Sequence, residues 1–454
     1  MSDMTSLWFE SALLPYGWAS HVRITAANGR IERVTADIEP NDTDERLNVG
    51  IPGLPNLHSH AFQRGIAGLT ERRGSEGDSF WTWRELMYQF VDRITPDEME
   101  AVASLAYAEM LECGFTQVGE FHYLHHDRGG VPFADPGELA GRMAAAAANT
   151  GIGLTLLPTL YAHGGFGGTE PGKRQRRFIN TRDQFAAIVE SSRRIVKSLP
   201  GGVVGVAPHS LRAVTPEELA WLVELSQGSV IHIHIAEQMK EVDDCIAWSG
   251  RRPVEWLLEH TAVDERWCLV HATHISDAEM QGIAASGAVV GLCPITEANL
   301  GDGIFPAVPF LTHAGRIGVG SDSNVLIDAA EEFRMLEYSQ RLAHRGRNVL
   351  AAGAGKSTGR TLFDRSLAGG ARVLESSRGL EPGALLDVVS LKTHEPELTR
   401  RRQDDILDSW IFCGGRKLVD CVWRAGEKVV INGRHRHRDA IVARYRQALD
   451  NLLT

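Results

Sequence analysis

Four short apolar runs in this chain end in groups that bind metals or move protons. Residues 51–60 close on His58-Ser59-His60. Residues 230–236 alternate as Val-Ile-His-Ile-His-Ile-Ala and lead into Glu237. Val270 is followed by His271, and Gly320-Ser321 by Asp322. Side chains two apart on a strand share a face, so His58 and His60 point the same way. With Ile231, Ile233 and Ile235 on one face of their strand, His232 and His234 take the other. Each piece alone has an ordinary explanation: a hydrogen-bonded histidine pair, a satisfied core histidine, a capping aspartate. Their conjunction does not, because four separate strands would each bury an imidazole or a carboxylate to no purpose. A histidine pair, a further histidine and an aspartate at strand ends suit a divalent metal that keeps one position open for water.

Positioning those groups takes a repeating scaffold. Eight strand-like runs occur, at 51–60, 116–122, 153–161, 203–210, 230–236, 267–272, 288–293 and 317–321. Helix-forming stretches lie between them, at 96–113, 136–150, 181–198, 216–226, 253–260, 277–286 and 331–344. Eight such units in about 300 residues predict an α/β fold, a (β/α)8 TIM barrel with catalytic groups at the C-terminal ends of its strands. A doubly wound sheet would place a glycine-rich phosphate turn after its first strand, and Asn56-Leu57-His58-Ser59-His60 is not one. Both chain ends are β-rich. Runs at 21–26 and 30–36 flank Asn28-Gly29, a hairpin signal. Further strand-like runs lie at 385–391, 406–412, 418–423 and 428–431, before an amphipathic helix at 440–453. The expected organisation is a small β-sandwich domain from residues 1–51 plus 376–454, and a metal-dependent barrel from 52–375.

The segment Pro52-Gly53-Leu54-Pro55-Asn56-Leu57-His58-Ser59-His60, followed in order by His234, His271 and Gly320-Ser321-Asp322, resembles the amidohydrolase superfamily across the whole chain. Members with two metals commonly carry a carboxylated lysine on the fourth strand. Here residues 203–209 hold no lysine, and Glu237 follows His234 by three residues, a pattern similar to the single-metal deaminase branch. The resemblance implies one divalent ion per subunit, zinc by preference, on His58, His60, His234 and Asp322. Such sets also accept iron, nickel or manganese. It leaves Glu237, His271 and Asp322 as catalytic groups. Asp322 and His271 would take a proton from the attacking water, while Glu237 would protonate the nitrogen of a C=N group and then the departing amine. Burial beside the substrate would raise the Glu237 pKa enough for this.

Gln63, Arg84 (within Phe80-Trp81-Thr82-Trp83-Arg84-Glu85), Tyr123, His209 and Arg212 resemble the substrate-binding set of the N-formimino-L-glutamate iminohydrolase family. That resemblance implies a hydrolase acting on a linear amidine, giving N-formyl-L-glutamate and ammonia in histidine breakdown. The residue chemistry agrees. Guanidinium groups form planar bidentate pairs with carboxylates, so two arginines suit a small dicarboxylate. A flat purine would call for stacking aromatics and amide edges. Other readings of these residues stay open: Arg84 paired with Glu85 or Glu337 on a surface, Arg212 as an ordinary strand-end residue, Gln63 as a loop amide, Tyr123 and His209 as pocket walls. The competing functions are an aminohydrolase of a nucleobase or aminotriazine, and a non-catalytic barrel that binds a dicarboxylate.

Three further features carry less. Residues 162–168 are glycine-rich and long enough, with 169–177, for a lid; the cluster Lys173, Arg174, Arg176 and Arg177 reads as a solvated patch. His122, His125 and His126 read as loop or supporting residues, and His435 and His437 as surface. The composition sets the outer bounds. The 454 residues are 43% apolar and 23% charged, which excludes disorder. A net charge of −11 disfavours nucleic acid and anionic membranes as partners. There is no 18-residue apolar run, and the N-terminus, with Asp3 and Glu10, lacks a basic region before an apolar one. Six cysteines without a CxxC predict reduced, mostly buried thiols and a cytoplasmic protein. A homodimer is what the resemblance implies.

Overall fold

The computed structural model describes residues 4–73 and 80–453; Asp3 lies outside them. Alternation of apolar runs with amphipathic helices produces two parallel sheets. One joins Leu54–Ser59, Phe115–His122, Gly153–Leu160 and Val203–Val204, with Ala207–Pro208 also pairing to Gly153–Leu160. The other joins Ile231–Ile235, Trp267–His271, Val289–Leu292 and Arg316–Val319. The two sheets meet at both edges through parallel bridges, Ser59 to Asp322 and Val206 to Ile231. Leu54–Ser59, Phe115–His122, Gly153–Leu160, Ile231–Ile235 and Trp267–His271 are buried along their whole length, as parallel strands covered on both faces must be.

Helix starts follow local rules. Thr95, Thr181, Thr215 and Ser276 each accept a hydrogen bond from the backbone three residues on, and the glutamate or glutamine there returns one. Helices at Pro96–Glu112, Pro216–Leu225, Pro253–His260 and Asp277–Ser286 match their sequence expectations closely. The fourth expected strand is interrupted at Gly205-Val206, where a Cβ on Gly205 would strike the Val230 carbonyl.

The two chain ends share one eight-stranded sheet. Its order runs Arg434–His435, Glu427–Ile431, Val419–Arg424, Val388–Leu391, Glu45–Pro52, Met4–Leu14, Gly17–Ala27, Arg30–Thr35. Glu45–Pro52 joins the ends by pairing with Val388–Leu391 on one side and Met4–Leu14 on the other. Leu7, Phe9, Val22, Ile24, Leu386, Val388 and Trp423 form a core of their own on one face. Asn28 and Gly29 take the left-handed conformation that the expected hairpin requires.

One expected strand is wrong. Residues 406–412 are helical, in Asp404–Ser409 and the π-turn Trp410–Gly414. Ile406, Leu407, Trp410 and Ile411 are buried, a helical spacing, and Trp410 packs edge-on to Phe333 and Phe363. A short apolar run does not by periodicity alone distinguish strand from buried helix. His435 is also buried rather than on the surface, its Nε2 bonding the Thr150 carbonyl at 2.8 Å, while His437 is exposed.

Three buried histidines that are not among the metal-binding groups give the fold a pH dependence. His125, His232 and His435 each bond a backbone carbonyl, and burial pushes them down to about 3, 4 and 4. A histidine depressed in the folded state contributes stability that is complete above its unfolded pKa and is lost as pH falls toward the folded value. Each should cost about 1 kcal/mol by one pH unit below 6.5. Chemical denaturation should therefore show a clear loss of stability between pH 7 and 5.5; equal stability at both would contradict neutral burial.

Candidate metal centre and active site

Three imidazole nitrogens face one another at the strand ends. His58 Nε2 lies 3.2 Å from His60 Nε2 and 3.0 Å from His234 Nε2, and His60 Nε2 lies 3.3 Å from His234 Nε2. Asp322 Oδ1 stands 3.5 Å from His58 Nε2 and 3.4 Å from His60 Nε2. Four ligands about 2.0–2.1 Å from one tetrahedral ion stand roughly 3.3 Å apart, so the set fits one divalent cation. The other ring nitrogens support this. His60 Nδ1 bonds the Phe121 carbonyl and His234 Nδ1 the His209 carbonyl, each at 3.0 Å. A carbonyl accepts only, so both Nδ1 atoms carry the proton and both Nε2 lone pairs point at the shared centre. Burial holds His58 down at about 3 and lowers His60 and His234 too, which keeps all three neutral. Burial opposes ionisation of Asp322, but its contact with His58 and the positive charge of His271 outweigh that and hold it below the usual range.

A buried polar staple holds the first and last strands in place around this centre. Asn56 Nδ2 donates to Ser321 Oγ at 2.7 Å, and Ser321 N donates back to Asn56 Oδ1 at 3.0 Å. Ser321 Oγ then donates to Asn324 Oδ1, and Asn324 Nδ2 to Ser59 Oγ. Arg64 closes the outside by donating to the carbonyls of Asn324 and Val325 while paired with Glu109 at 2.8 Å. Backbone strain collects here. Asp322, Asn324, His271, Ala272 and Ala236 all have φ between 45° and 67°. For non-glycine residues this costs about 1–2 kcal/mol each and is kept where surrounding structure enforces it.

His271 and Glu237 lie beside the centre. His271 Nε2 is 3.7 Å from Asp322 Oδ2 and 3.9 Å from Glu237 Oε1, and its ring stacks on His234 at 5.6 Å. Its Nδ1 meets Glu297 Oε1 at 3.2 Å, and the same oxygen accepts from Cys293 N. Burial would lower His271, but Glu237, the Glu297 hydrogen bond and Asp322 outweigh it and hold it well above its ordinary value. Burial lifts Glu237 to about 7 against the opposing pull of His271, with Asp322 and Glu241 adding to the rise. A carboxyl near 7 and an imidazole tied to carboxylates can move protons at neutral pH. His232, by contrast, bonds Val373 and is a satisfied core histidine.

A pocket opens over this cluster. Gln63, Arg84, Tyr123, His209 and Arg212 all line it, so every residue expected to contact a substrate is brought to one place. Gln63 donates to Tyr123 Oη at 3.1 Å, leaving its buried Oε1 without a partner. Arg84 does not pair on a surface: Glu85 takes Arg174 and Glu337 takes Arg341. Arg84 and Arg212 instead lie 5.6 and 5.7 Å from the Trp81 ring centre, and among the described residues neither has a carboxylate within ion-pair distance. Burial and the charges of Arg212 and Arg84 keep His209 far below its ordinary pKa, so it is neutral.

The basic cluster is solvated only in part: Lys173 and Arg174 are exposed, Arg176 is half-buried and Arg177 is buried. Arg177 is buried and donates to the carbonyls of His126, Val91 and Ile94. Arg174 pairs with Glu85 and Arg176 with Asp92. The segment is a strap that fastens the Phe80–Val91 helix, which carries Arg84. His125 and His126 hold it by donating their backbone N–H groups to the Arg177 carbonyl, and the His126 ring adds a bond to the Ile179 carbonyl. Sequence reasoning missed Asn56, Ser321 and Asn324 as a staple, and Glu297 and Tyr161 as partners of His271 and Arg84. Asn56 alone left a signal, an amide inside a strand that otherwise reads as core.

The sequence profile of the Amidohydrolase family matches residues 49–429. The chain belongs to the amidohydrolase family. A second profile, described as "Formimidoylglutamate deiminase HutF, N-terminal domain", matches residues 4–48 of this amidohydrolase. A formimidoylglutamate deiminase of Pseudomonas aeruginosa is 49% identical over 453 residues, covering 99% of this chain and 100% of its own. The crystal structure of an amidohydrolase from Brucella melitensis superposes with a TM-score of 0.96 at 54% identity, covering 99% of this chain and 100% of its own. An adenosine deaminase from Xanthomonas campestris with bound zinc shares the fold, with a TM-score of 0.81 at 21% identity, covering 99% and 98%.

The ligand set predicts that the purified amidohydrolase carries about one zinc-class ion per chain and that His234→Ala carries almost none. Equal metal content in the two proteins would remove His234 from the set.

Proposed function

We propose that this amidohydrolase hydrolyses N-formimino-L-glutamate to N-formyl-L-glutamate and ammonia. The observation that carries this reading is the pairing, in one cavity, of a metal-ligand cluster with two arginines that make no ion pair with a carboxylate of the described residues. Full-length similarity to a formimidoylglutamate deiminase supports it. The arginines hold the two substrate carboxylates, and the free Gln63 Oε1 accepts from an N–H of the formimino group. Zinc suits three imidazoles and one carboxylate, and when bound it supplies Lewis acidity and a nucleophilic water at neutral pH.

The residues of the chain do the rest. Asp322 accepts the water's proton, and His271, held as its cation beside Glu237 and Asp322, orients the water, with Glu297 fixing the His271 ring. As a C–O bond forms at the formimino carbon, Glu237 gives its proton to the imine nitrogen. The proton taken from the water passes from Asp322 through His271 to Glu237, which gives it to the same nitrogen; ammonia leaves as the C–N bond breaks, and the remaining hydroxyl proton goes to Asp322 as the C=O bond forms, resetting Glu237 by the same path. The scaffold of this reading is a (β/α)8 TIM barrel at 52–375, the two parallel sheets closing through their edge bridges. Residues 1–51 plus 376–454 make a separate β-sandwich-like domain, which their own apolar core supports. The same reading has the enzyme working as a cytoplasmic homodimer, its cysteines free and mostly buried.

Two variants test it. Glu237→Gln should keep its metal and lose turnover by two orders of magnitude or more, since general acid–base groups contribute about 10²–10⁴-fold. Substantial residual activity would move the proton role elsewhere. Arg84→Ala should cost about 2–5 kcal/mol in kcat/KM, ~30-fold or more, through lost carboxylate binding. A loss under threefold would favour a nucleobase or aminotriazine substrate.

A further inference from the structure

Arg84 reaches the cavity from the Phe80–Val91 helix, outside the two parallel sheets, so something must fix its long side chain. Its Nη2 donates to Tyr161 Oη at 2.9 Å. Gln175 Nε2 donates to the same oxygen at 2.7 Å. The direction of each bond is forced. A guanidinium has no acceptor, so the hydroxyl must accept from Arg84. Gly172 N donates to Gln175 Oε1 at 2.7 Å, which turns the amide nitrogen toward the tyrosine. The phenol oxygen therefore accepts twice, with both lone pairs committed.

Tyr161 itself is immobile. It follows the Gly153–Leu160 strand, forms a parallel bridge with Ile179, and accepts from Asn180 N at its carbonyl. Its ring packs on His209 at 4.6 Å and Phe178 at 5.8 Å. Gln175 belongs to the strap whose Arg177 caps the carbonyls of Val91 and Ile94. The hydroxyl thus links three separate segments: the strand end, the strap and the arginine helix.

The geometry points to Tyr161 as a positioning residue for substrate selection: the Gln175–Tyr161–Arg84 relay sets where the Arg84 guanidinium stands, and so which length of dicarboxylate spans from the metal centre to it. This rests on the reading of Arg84 as a carboxylate-binding group. Without the hydroxyl, Arg84 keeps its charge, its contact with Trp81 and its contact and hydrogen bond with Tyr88, but loses the Tyr161 oxygen that ties it to the strand end and the strap. A guanidinium free to swing binds glutamate and aspartate derivatives more equally, and a site separating substrates by one methylene depends on such fixed geometry.

Tyr161→Phe removes the oxygen and keeps the ring against His209, so it isolates the relay. Steady-state kinetics with N-formimino-L-glutamate and N-formimino-L-aspartate should show KM for the glutamate derivative raised about tenfold, as for loss of a hydrogen bond to a charged group, with kcat within about twofold. The preference for glutamate over aspartate should fall, and Gln175→Leu should move both quantities the same way by less. In an Arg84→Ala background, Tyr161→Phe should add less than about twofold, because residues acting through one group are not additive. An unchanged KM in Tyr161→Phe, with KM raised in Arg84→Ala, overturns the relay and leaves the carboxylate reading intact. A full additional effect of Tyr161→Phe on top of Arg84→Ala also overturns it. An unchanged KM in Arg84→Ala overturns the carboxylate reading and the relay with it.

Discussion

Three neutral imidazole nitrogens and a carboxylate oxygen, held within 4.8 Å of one another and out of water, are the constraint on which this structure depends. Lone pairs aimed at one point repel and lack donors, so nothing local holds them there. The fold does so with backbone. Two of the rings are pinned through Nδ1 to the Phe121 and His209 carbonyls, which belong to neighbouring strands. The Asn56–Ser321–Asn324–Ser59 staple fixes the first strand against the last, and Asp322 takes a left-handed conformation between them. A bound cation relieves the repulsion, so the site and the strain around it belong to one design.

A second level of organisation concerns charge. The chain carries −11, yet the cavity places Arg84 and Arg212 around Trp81 beside the metal ligands. Bulk charge governs solubility and distant steering, whereas binding is decided within a few ångströms in a desolvated pocket. Local positive field inside an acidic protein is consistent with an anionic substrate. Holding that field takes outside support. The strap at 172–180 fastens the arginine helix by burying Arg177, so a segment remote from the chemistry governs its geometry.

Much of this was legible in the sequence, and the failures have physical causes. His58, His60 and His234 could be placed because strand side chains repeat every two residues, and flanking isoleucines mark the opposite face. His271 follows a different logic. Cys268 and Val270 join Leu57 in an inner cluster, so strand parity sets His271 with Trp267 and Leu269 on the other face. Its φ of 67° departs from extended geometry and brings it beside the metal ligands, which no periodicity encodes. The run at 406–412 read as strand because few apolar residues fit either period, and its packing on Phe333 and Phe363 chose helix. Arg177 read as part of a solvated patch because a charge's fate depends on carbonyls distant in sequence. Tyr161 and Glu297 were invisible for the same reason: each acts through a partner brought near only by folding.

The most direct test of the account is ammonia release by the purified enzyme from N-formimino-L-glutamate, adenosine, cytosine and guanine, with metal content measured on the same sample. The account predicts turnover of the formimino dicarboxylate in proportion to bound metal, and at most trace release from the nucleobases and nucleoside. Turnover of a base or nucleoside without release from N-formimino-L-glutamate, or full activity in metal-free protein, would contradict it.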